Sequence, residues 1–276
     1  MSIPQNRILK FQQMIFTWWG KNRRDLPWRH THDPYKIAIS EIMLQQTQVS
    51  RVLTRYSEFI EEYPTVYNLA RASKASILRM WSGMGYNRRA LYLHDMAKVI
   101  VQLYQGKFPV DEKLLIQLPG IGTYTARAIL IFAYKKNIAC VDTNILKIIT
   151  HFFFHDKLQK ESVIGEIAGQ LVPSGNSWEW HQALMDFGSI NLKNKRVNKY
   201  SLSAQAGNKQ PFRETNRFYR GKIIDMLREK KYAETKIINY IYNQYNKQEY
   251  EIQSILNGLI RDGLVVRKKN MLSLPK

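Results

Sequence analysis

Apolar residues recur at intervals of three and four positions along most of the first 190 residues. This spacing gathers them on one face of a helix, so it predicts amphipathic helices rather than strands. Short turns with glycine or proline separate the clearest runs, which lie at 8–19, 35–49, 89–104, 124–132 and 141–153. Because no alternating strand pattern of useful length precedes residue 260, we expect the first two thirds of the chain to be all-α.

The last third of the chain has a different pattern. Over residues 188–211, Gly, Ser, Asn and Lys replace the apolar periodicity, which is typical of a linker or an irregular extension. Three helical segments and a short β-hairpin follow, near 216–227, 233–242, 250–262, 264–267 and 271–274. Three helices followed by a basic hairpin indicate a winged helix.

The charge balance indicates the kind of partner. The 276 residues include 42 Lys and Arg against 22 Asp and Glu, a net charge of +20, and 45% of them are hydrophobic, so the chain should fold. Such an excess favours a polyanion, usually nucleic acid, although an anionic membrane surface would attract the same charge. The sequence has no apolar run of about 18 residues and no signal-peptide core. We therefore expect a soluble, intracellular protein. We further expect a cytoplasmic location, with nucleoid association in a prokaryote, a monomer and no membrane partner.

A single cysteine, Cys140, limits the cofactors that the chain could hold. One thiol excludes a disulfide framework, a Cys-type zinc site and an iron–sulfur cluster within this chain.

Residues 118–122 read Leu-Pro-Gly-Ile-Gly between two helical patterns. The turn can point backbone N–H groups outward at the start of the second helix, where an anion is favoured. A helix-hairpin-helix element that holds a DNA phosphate has this form, and so does an ordinary helix–helix turn. The motif alone leaves these two interpretations about even.

Two carboxylates are candidates for acid–base chemistry. Glu41 lies in an apolar helical pattern, where burial would raise its pKa and suit it to general acid catalysis, although a surface glutamate is the commoner case. Asp142 could cap a helix, or it could stay ionised and stabilise a developing cation. A protonated Glu beside an ionised Asp is the arrangement that breaks a glycosidic bond.

Together these segments resemble the helix-hairpin-helix DNA glycosylase superfamily and, within it, the MutY adenine glycosylases. The resemblance covers roughly residues 8–190 and depends on five motifs in the family's order, at 24–29, 40–49, 81–86, 118–125 and 141–144. It implies an all-α, two-lobed helix-hairpin-helix glycosylase core, and the C-terminal pattern adds a small winged-helix-like domain after this core. We accordingly expect a core at 1–190, a basic linker at 191–211 and a DNA-contacting domain at 212–276.

The resemblance implies catalytic roles at matching positions. Glu41 would protonate a flipped adenine on N7, and Asp142 would stabilise the sugar cation. Tyr124 would hydrogen-bond to this pair, and Asn144 would help to position the carboxylates. The base pocket would be lined by Arg24, Leu26, Trp28, Arg29, Leu44 and Asp186.

The resemblance also implies contacts with duplex DNA that carries a mismatched or damaged base. Gln46 and Tyr86 would wedge into the duplex at the partner base, offsetting the cost of unstacking, with Gln45 beside them. The hairpin would hold the backbone through Gly120, Ile121, Gly122, Thr123 and Thr125. A monovalent cation on the carbonyls of Ile116, Leu118 and Ile121 is compatible with it.

Departures from the family pattern change the expected reaction and cofactors. Bifunctional relatives place a lysine at position 124 to form a Schiff base, which a phenol cannot do, so the enzyme is expected to leave an abasic site uncut. Where most MutY-like enzymes have four cluster-binding cysteines, this chain has Leu192, Lys199, Leu202 and Asn208. We expect no iron–sulfur cluster, no required cofactor and no NUDIX-like domain.

The expected function is base-excision repair by hydrolysis of a mispaired adenine opposite guanine or 8-oxoguanine. One alternative is a thymine or uracil glycosylase that acts on T:G or U:G mismatches. Another is a DNA-binding protein without catalytic activity, although such a protein would need no acid, aspartate and tyrosine at catalytic spacing.

Overall fold

The computed structural model describes residues 2–194 and 211–276, which are mostly helical. The all-α prediction is therefore confirmed for these residues. No helix in the described ranges combines the length and the apolar character needed to cross a membrane. Packing divides the described chain into two units, one formed by residues 2–41 and 108–194 and the other by residues 42–107 and 211–276.

These units differ from the expected domains at 1–190, 191–211 and 212–276. A compact unit is defined by its packing and a domain by independent folding, so the expected boundaries stay predictions. Most of the linker, with Lys199, Leu202 and Asn208, lies outside the described residues.

The first unit is built from six helices and most of a seventh. In chain order they are α1 (Gln5–Asn22), α2 (Pro34–Leu44, up to Glu41), α7 (Glu112–Ile116), α8 (Thr123–Phe132), α9 (Thr143–Phe154), α10 (Glu161–Leu171) and α11 (Ser177–Asn191). Apolar stripes of α1, α9, α10 and α11 bury one another, and Phe11 packs against Phe152, Phe153 and Trp180 at ring-centroid distances of 5.1–5.9 Å. Leu192, which follows α11, is also a buried member of this core.

The second unit combines two groups of helices with a small sheet. Its helices are α3 (Val49–Glu62), α4 (Val66–Arg71), α5 (Lys74–Met80), α6 (Arg88–Tyr104), α12 (Asn216–Glu229), α13 (Glu234–Tyr245) and α14 (Glu249–Arg261). The strands β1 (Tyr232–Ala233), β2 (Val266–Lys268) and β3 (Met271–Ser273) form an antiparallel sheet in the order β1-β3-β2.

The sheet completes the expected winged helix with one strand more than the sequence predicts. Tyr232 pairs with Leu272, while Val266 pairs with Ser273 in the predicted hairpin. Strand β1 has two residues, too few for an alternating pattern to be visible in the sequence.

Candidate active site

The 118–122 turn joins α7 to α8 as a helix-hairpin-helix element. The N–H of Ile121 donates to the carbonyl of Leu118 at 3.1 Å, and Gly120 adopts a φ of +79°, which favours glycine. Gly122 is the N-cap of α8 and supplies no side chain, so no capping side chain occupies the first N–H groups of the helix, which begins at the exposed Thr123. This geometry suits the predicted phosphate contact.

The residues predicted to contact DNA at this hairpin differ in their exposure. Thr123 is exposed and accessible, whereas Thr125 is only 3% exposed, which does not favour its predicted DNA contact. The carbonyl of Leu118 already accepts one hydrogen bond and has a second lone pair, so the cation on Ile116, Leu118 and Ile121 stays a prediction.

Glu41 lies on α2 and is only 8% exposed. Burial, partly offset by a hydrogen bond with the Tyr124 hydroxyl, raises the pKa of Glu41 from 4.5 to about 7, and the charge of Asp142 adds to the rise. Burial also raises the pKa of Tyr124 well above its ordinary value, so its phenol stays neutral and can donate. The structure thus brings Glu41, Tyr124 and Asp142 together, as the catalytic prediction requires.

Asp142 is the N-cap of α9. Its Oδ1 accepts from the N–H of Ile145 at 2.7 Å, and its Oδ2 accepts from Nδ2 of Asn144 at 2.8 Å. Burial raises the pKa of Asp142, and these hydrogen bonds together with the ammonium of Lys147 oppose the rise. Its capping role and its proposed catalytic role therefore use the same geometry.

The two carboxylates have unequal support for a negative charge. Asp142 has N–H donors, a helix N-terminus and a nearby cation, whereas the described contacts of Glu41 include one hydroxyl donor. When the pair holds one proton, that proton is more stable on Glu41. The arrangement provides an acid and an anion side by side.

Residues of α11 that sequence reasoning missed hold the loop before Asp142. The N–H of Cys140 donates to Nε2 of His181 at 3.1 Å, and Nδ1 of His181 lies 2.7 Å from the carbonyl oxygen of Ser177. Burial lowers the pKa of His181 to about 4, so the ring is neutral and accepts through Nε2. The hydroxyl of Ser177 donates to the carbonyl of Ile138 at 3.0 Å.

Gly188 fixes the distance between α11 and the first turn of α9. A Cβ at this position would lie 2.7 Å from Cβ of Asn144 and 3.0 Å from its carbonyl oxygen. The absence of a side chain at Gly188 therefore lets Asn144 reach Asp142. Neither His181 nor Gly188 carries a sequence signal beyond its place in a helical pattern.

Asp186 lies on α11 in a different environment. It is fully buried and accepts two hydrogen bonds from Arg29 at 2.8 Å, two from Arg24 at 2.5 and 3.2 Å, and one from Nε1 of Trp19 at 3.0 Å. Burial alone would raise the pKa of Asp186, but Arg29 and Arg24 outweigh it and the pKa is lowered.

These surroundings bear on the expected base-pocket role of Asp186. Five protein hydrogen bonds use the capacity of a carboxylate and orient the two arginines, which does not favour a direct base contact, and the role of Asp186 in the pocket stays a prediction. Leu26, Trp28 and Arg29 are also buried in this unit, whereas Arg24 is partly exposed. The base contacts of these four residues stay predictions.

The predicted wedge residues lie in the second unit, as does the half-buried Leu44. Gln46 and Tyr86 adopt φ angles of 54° and 46°, which residues other than glycine rarely do, and Gln45 lies beside them. Buried Arg89 holds both segments, because its guanidinium donates to carbonyls of Gln45, Met84 and Gly85 among others.

The residues present do not fit an iron–sulfur cluster. Burial raises the pKa of the Cys140 thiol well above its ordinary value, and this cysteine stands beside Glu41 and Asp142. Leu192, the first of the four positions aligned with cluster cysteines, packs against apolar side chains. Within residues 2–194 and 211–276, no group of three or more His, Cys, Asp or Glu side chains is placed to hold a metal ion.

Comparisons with known proteins agree with this geometry. Residues 39–174 match the family described as "HhH-GPD superfamily base excision DNA repair protein". An adenine DNA glycosylase of Mycolicibacterium smegmatis is 34% identical over 269 residues, which is 91% of each chain. A thymine/uracil-DNA glycosylase of Methanothermobacter thermautotrophicus is 35% identical over 65% of this chain and 83% of its own.

A solved structure of a DNA glycosylase is also similar to this chain. A thermostable thymine-DNA glycosylase superposes with a TM-score of 0.63 at 34% sequence identity. The match covers 67% of this chain and 87% of that protein.

Proposed function

Since the chain belongs to the HhH-GPD superfamily of base excision DNA repair proteins, we propose that it hydrolyses mispaired adenine from duplex DNA and leaves an abasic site. The supporting observation is the acid–anion pair, in which a buried carboxyl with a pKa of about 7 adjoins a helix-capping aspartate. The expected partner base is guanine or 8-oxoguanine.

Each residue of the pair has a separate step. Glu41 transfers its proton to N7 of the extruded adenine, so the electrons of the breaking C1′–N9 bond move onto a neutral leaving group. The Asp142 carboxylate stabilises the positive charge that develops at C1′. Water then adds to C1′ and releases a proton, which restores the acid form of Glu41.

Tyr124 and Asn144 position this chemistry. The neutral phenol of Tyr124 donates to Glu41, and Asn144 holds Asp142 at 2.8 Å. A phenol at position 124 cannot form a Schiff base with the sugar, which supports base removal without strand cleavage.

Thymine or uracil opposite guanine is the second candidate substrate, because a thymine/uracil-DNA glycosylase is among the similar proteins. Proton transfer to N7 favours a purine, since pyrimidines lack this atom. Glu41 thus supports adenine.

The test is excision from 5′-labelled duplexes with A:G, A:8-oxoguanine, T:G or U:G, followed by hot alkali. We expect alkali-dependent breaks with the two adenine duplexes and intact strands without alkali. Breaks with T:G and U:G alone would establish the second candidate. Strand cleavage without alkali would contradict the monofunctional mechanism.

A further inference from the structure

A cavity of about 920 Å³ lies within the second unit, between the predicted wedge segments and α12. Its volume is in the range of ligand-binding sites. One side is formed by segments 45–48 and 83–89, and the other includes Phe212, Arg217 and Lys222. Residues of the C-terminal segment therefore share one cavity with Gln46 and Tyr86.

Arg217 contacts the wedge tyrosine directly. Its guanidinium carbon lies 3.7 Å from the centre of the Tyr86 ring, and NH1 donates to the Tyr86 hydroxyl at 2.6 Å. The Phe212 ring lies 5.7 Å from the same guanidinium carbon. Arg217 is exposed, as are Phe212 at 58% and Tyr86 at 37%, so these planar groups are accessible to a ligand.

The segments that bear Gln46 and Tyr86 are held in place by contacts within the protein. Both residues adopt left-handed φ angles, a strain that tends to occur at ligand-binding positions. NH1 of Arg89 donates to the carbonyl of Gln45 at 2.5 Å, and NH2 donates to the Thr47 hydroxyl at 2.8 Å and the Gly85 carbonyl at 3.2 Å. Although burial lowers its pKa to about 10, Arg89 stays charged near neutral pH.

The cavity has basic groups that the described protein does not neutralise. Asp225 pairs with Arg228, and Asp262 pairs with Arg220 at 2.5 Å. Arg51, Arg217 and Lys222 also line the cavity, and no described carboxylate forms a salt bridge with any of these three. An anionic or strongly polar ligand is therefore favoured.

We propose that Arg217, with Tyr86, Gln46 and Phe212, forms a subsite for the guanine-type base opposite the excised base. This proposal rests on the proposed function. Arg217 donates to O6 and N7 of guanine, or to O6 of 8-oxoguanine, whose N7 carries a hydrogen and cannot accept. The aromatic rings stack on or beside the base, and Arg51 and Lys222 contact its flanking phosphates. The C-terminal segment is thereby a specificity determinant that reads the partner strand.

The composition of the subsite favours a base over a phosphate alone. Phosphate sites need donors and positive charge, whereas this one adds two accessible rings and the amides of Gln45 and Gln46. An arginine can donate two hydrogen bonds to the major-groove edge of guanine, and aromatic rings stack on unpaired bases. Cytosine opposite the lesion would place an amino donor against the same guanidinium.

The test measures binding to duplexes with a tetrahydrofuran abasic analogue opposite guanine, 8-oxoguanine or cytosine. We expect the wild type to bind the 8-oxoguanine duplex more tightly than the cytosine duplex by a smaller factor, and the guanine duplex about tenfold more tightly than the cytosine duplex. Arg217→Ala should reduce this ratio to near one, and Arg217→Lys should do nearly the same, because lysine keeps the charge but loses the paired donors. Arg213→Ala, which changes an exposed arginine outside the cavity, should leave the ratio unchanged.

The possible outcomes separate the subsite from the catalytic proposal. If Arg217→Ala weakens binding to all three duplexes by the same factor, Arg217 is a phosphate contact only. If Arg217→Ala changes none of the three affinities, Arg217 lies outside the subsite. A wild type without preference for a purine would also overturn the proposal. Because the tetrahydrofuran duplexes contain no excisable base, a failure to excise adenine would leave this result standing.

Discussion

Two buried carboxylates of the first unit, Glu41 and Asp186, have opposite electrostatic environments. Glu41 is 8% exposed and Asp186 is fully buried, so both lose hydration on folding. Asp186 receives five N–H hydrogen bonds, four of them from two arginines, whereas Glu41 receives a hydroxyl and faces another carboxylate. Burial therefore raises one pKa, and arginines lower the other.

The two carboxylates have opposite effects on the stability of the fold when they ionise. A lowered pKa means that ionised Asp186 stabilises the fold above its ordinary pKa, and this contribution is lost as pH falls through the lowered value. A raised pKa means that Glu41 destabilises the fold as pH rises from 4.5 to about 7, with no further change above. The cost is about 3 kcal/mol at full ionisation.

The largest expected effect comes from removing the acid. Glu41→Gln keeps the shape of the side chain but has no proton to transfer, so single-turnover excision should fall by about 10²–10⁴-fold. Glu61→Gln, on an exposed face of α3, is the matched control and should keep full activity. Wild-type rates in Glu41→Gln would contradict the assignment.

Asp186→Asn should weaken folding most. It leaves the buried guanidinium of Arg29 without its anionic partner, and the loss should be about 3–5 kcal/mol in urea unfolding at pH 7. Asp25→Asn removes an exposed carboxylate from the same unit and should cost little. A loss below about 1 kcal/mol would mean that Asp186 is not an essential ion-pair partner.

The opposite stability change should follow from Glu41→Gln. At pH 8 the variant should be more stable than the wild type by up to about 3 kcal/mol, because it avoids a buried charge. Near pH 4 the difference should vanish, since both side chains are then neutral. Equal stability of the two proteins in urea unfolding at pH 8 would show that Glu41 ionises without cost.

Asn144→Ala should produce the smallest change, confined to pH dependence. Loss of the 2.8 Å hydrogen bond makes ionised Asp142 less stable, so the acidic limb of the excision profile should move up by about one pH unit. Asn191→Ala, at the end of α11, serves as a control. A uniform decrease in rate at every pH would instead mean that Asn144 acts on something other than this titration.

Short sequence motifs predicted the helices and the grouping of the candidate catalytic residues, because helical periodicity and capping are local. Glu41, Tyr124 and Asp142 come together as expected, and the hairpin at 118–122 forms as the motif indicated. Contacts between residues that are far apart in the sequence could not be predicted from local motifs. Arg217 meets Tyr86 across 131 positions, and the surroundings of Asp186 depend on side chains at 19, 24 and 29.

The proposed reaction requires that Glu41 hold the proton of the acid–anion pair near neutral pH. Carbon-13 NMR titration of side-chain carboxyls, with Glu41→Gln used to assign the resonance, measures this directly without a substrate. We expect a Glu41 midpoint near pH 7, and a lower one in Asp142→Asn, which lacks the neighbouring charge. A wild-type midpoint near the ordinary value of 4.5 would show that Glu41 is ionised near neutral pH and cannot be the acid.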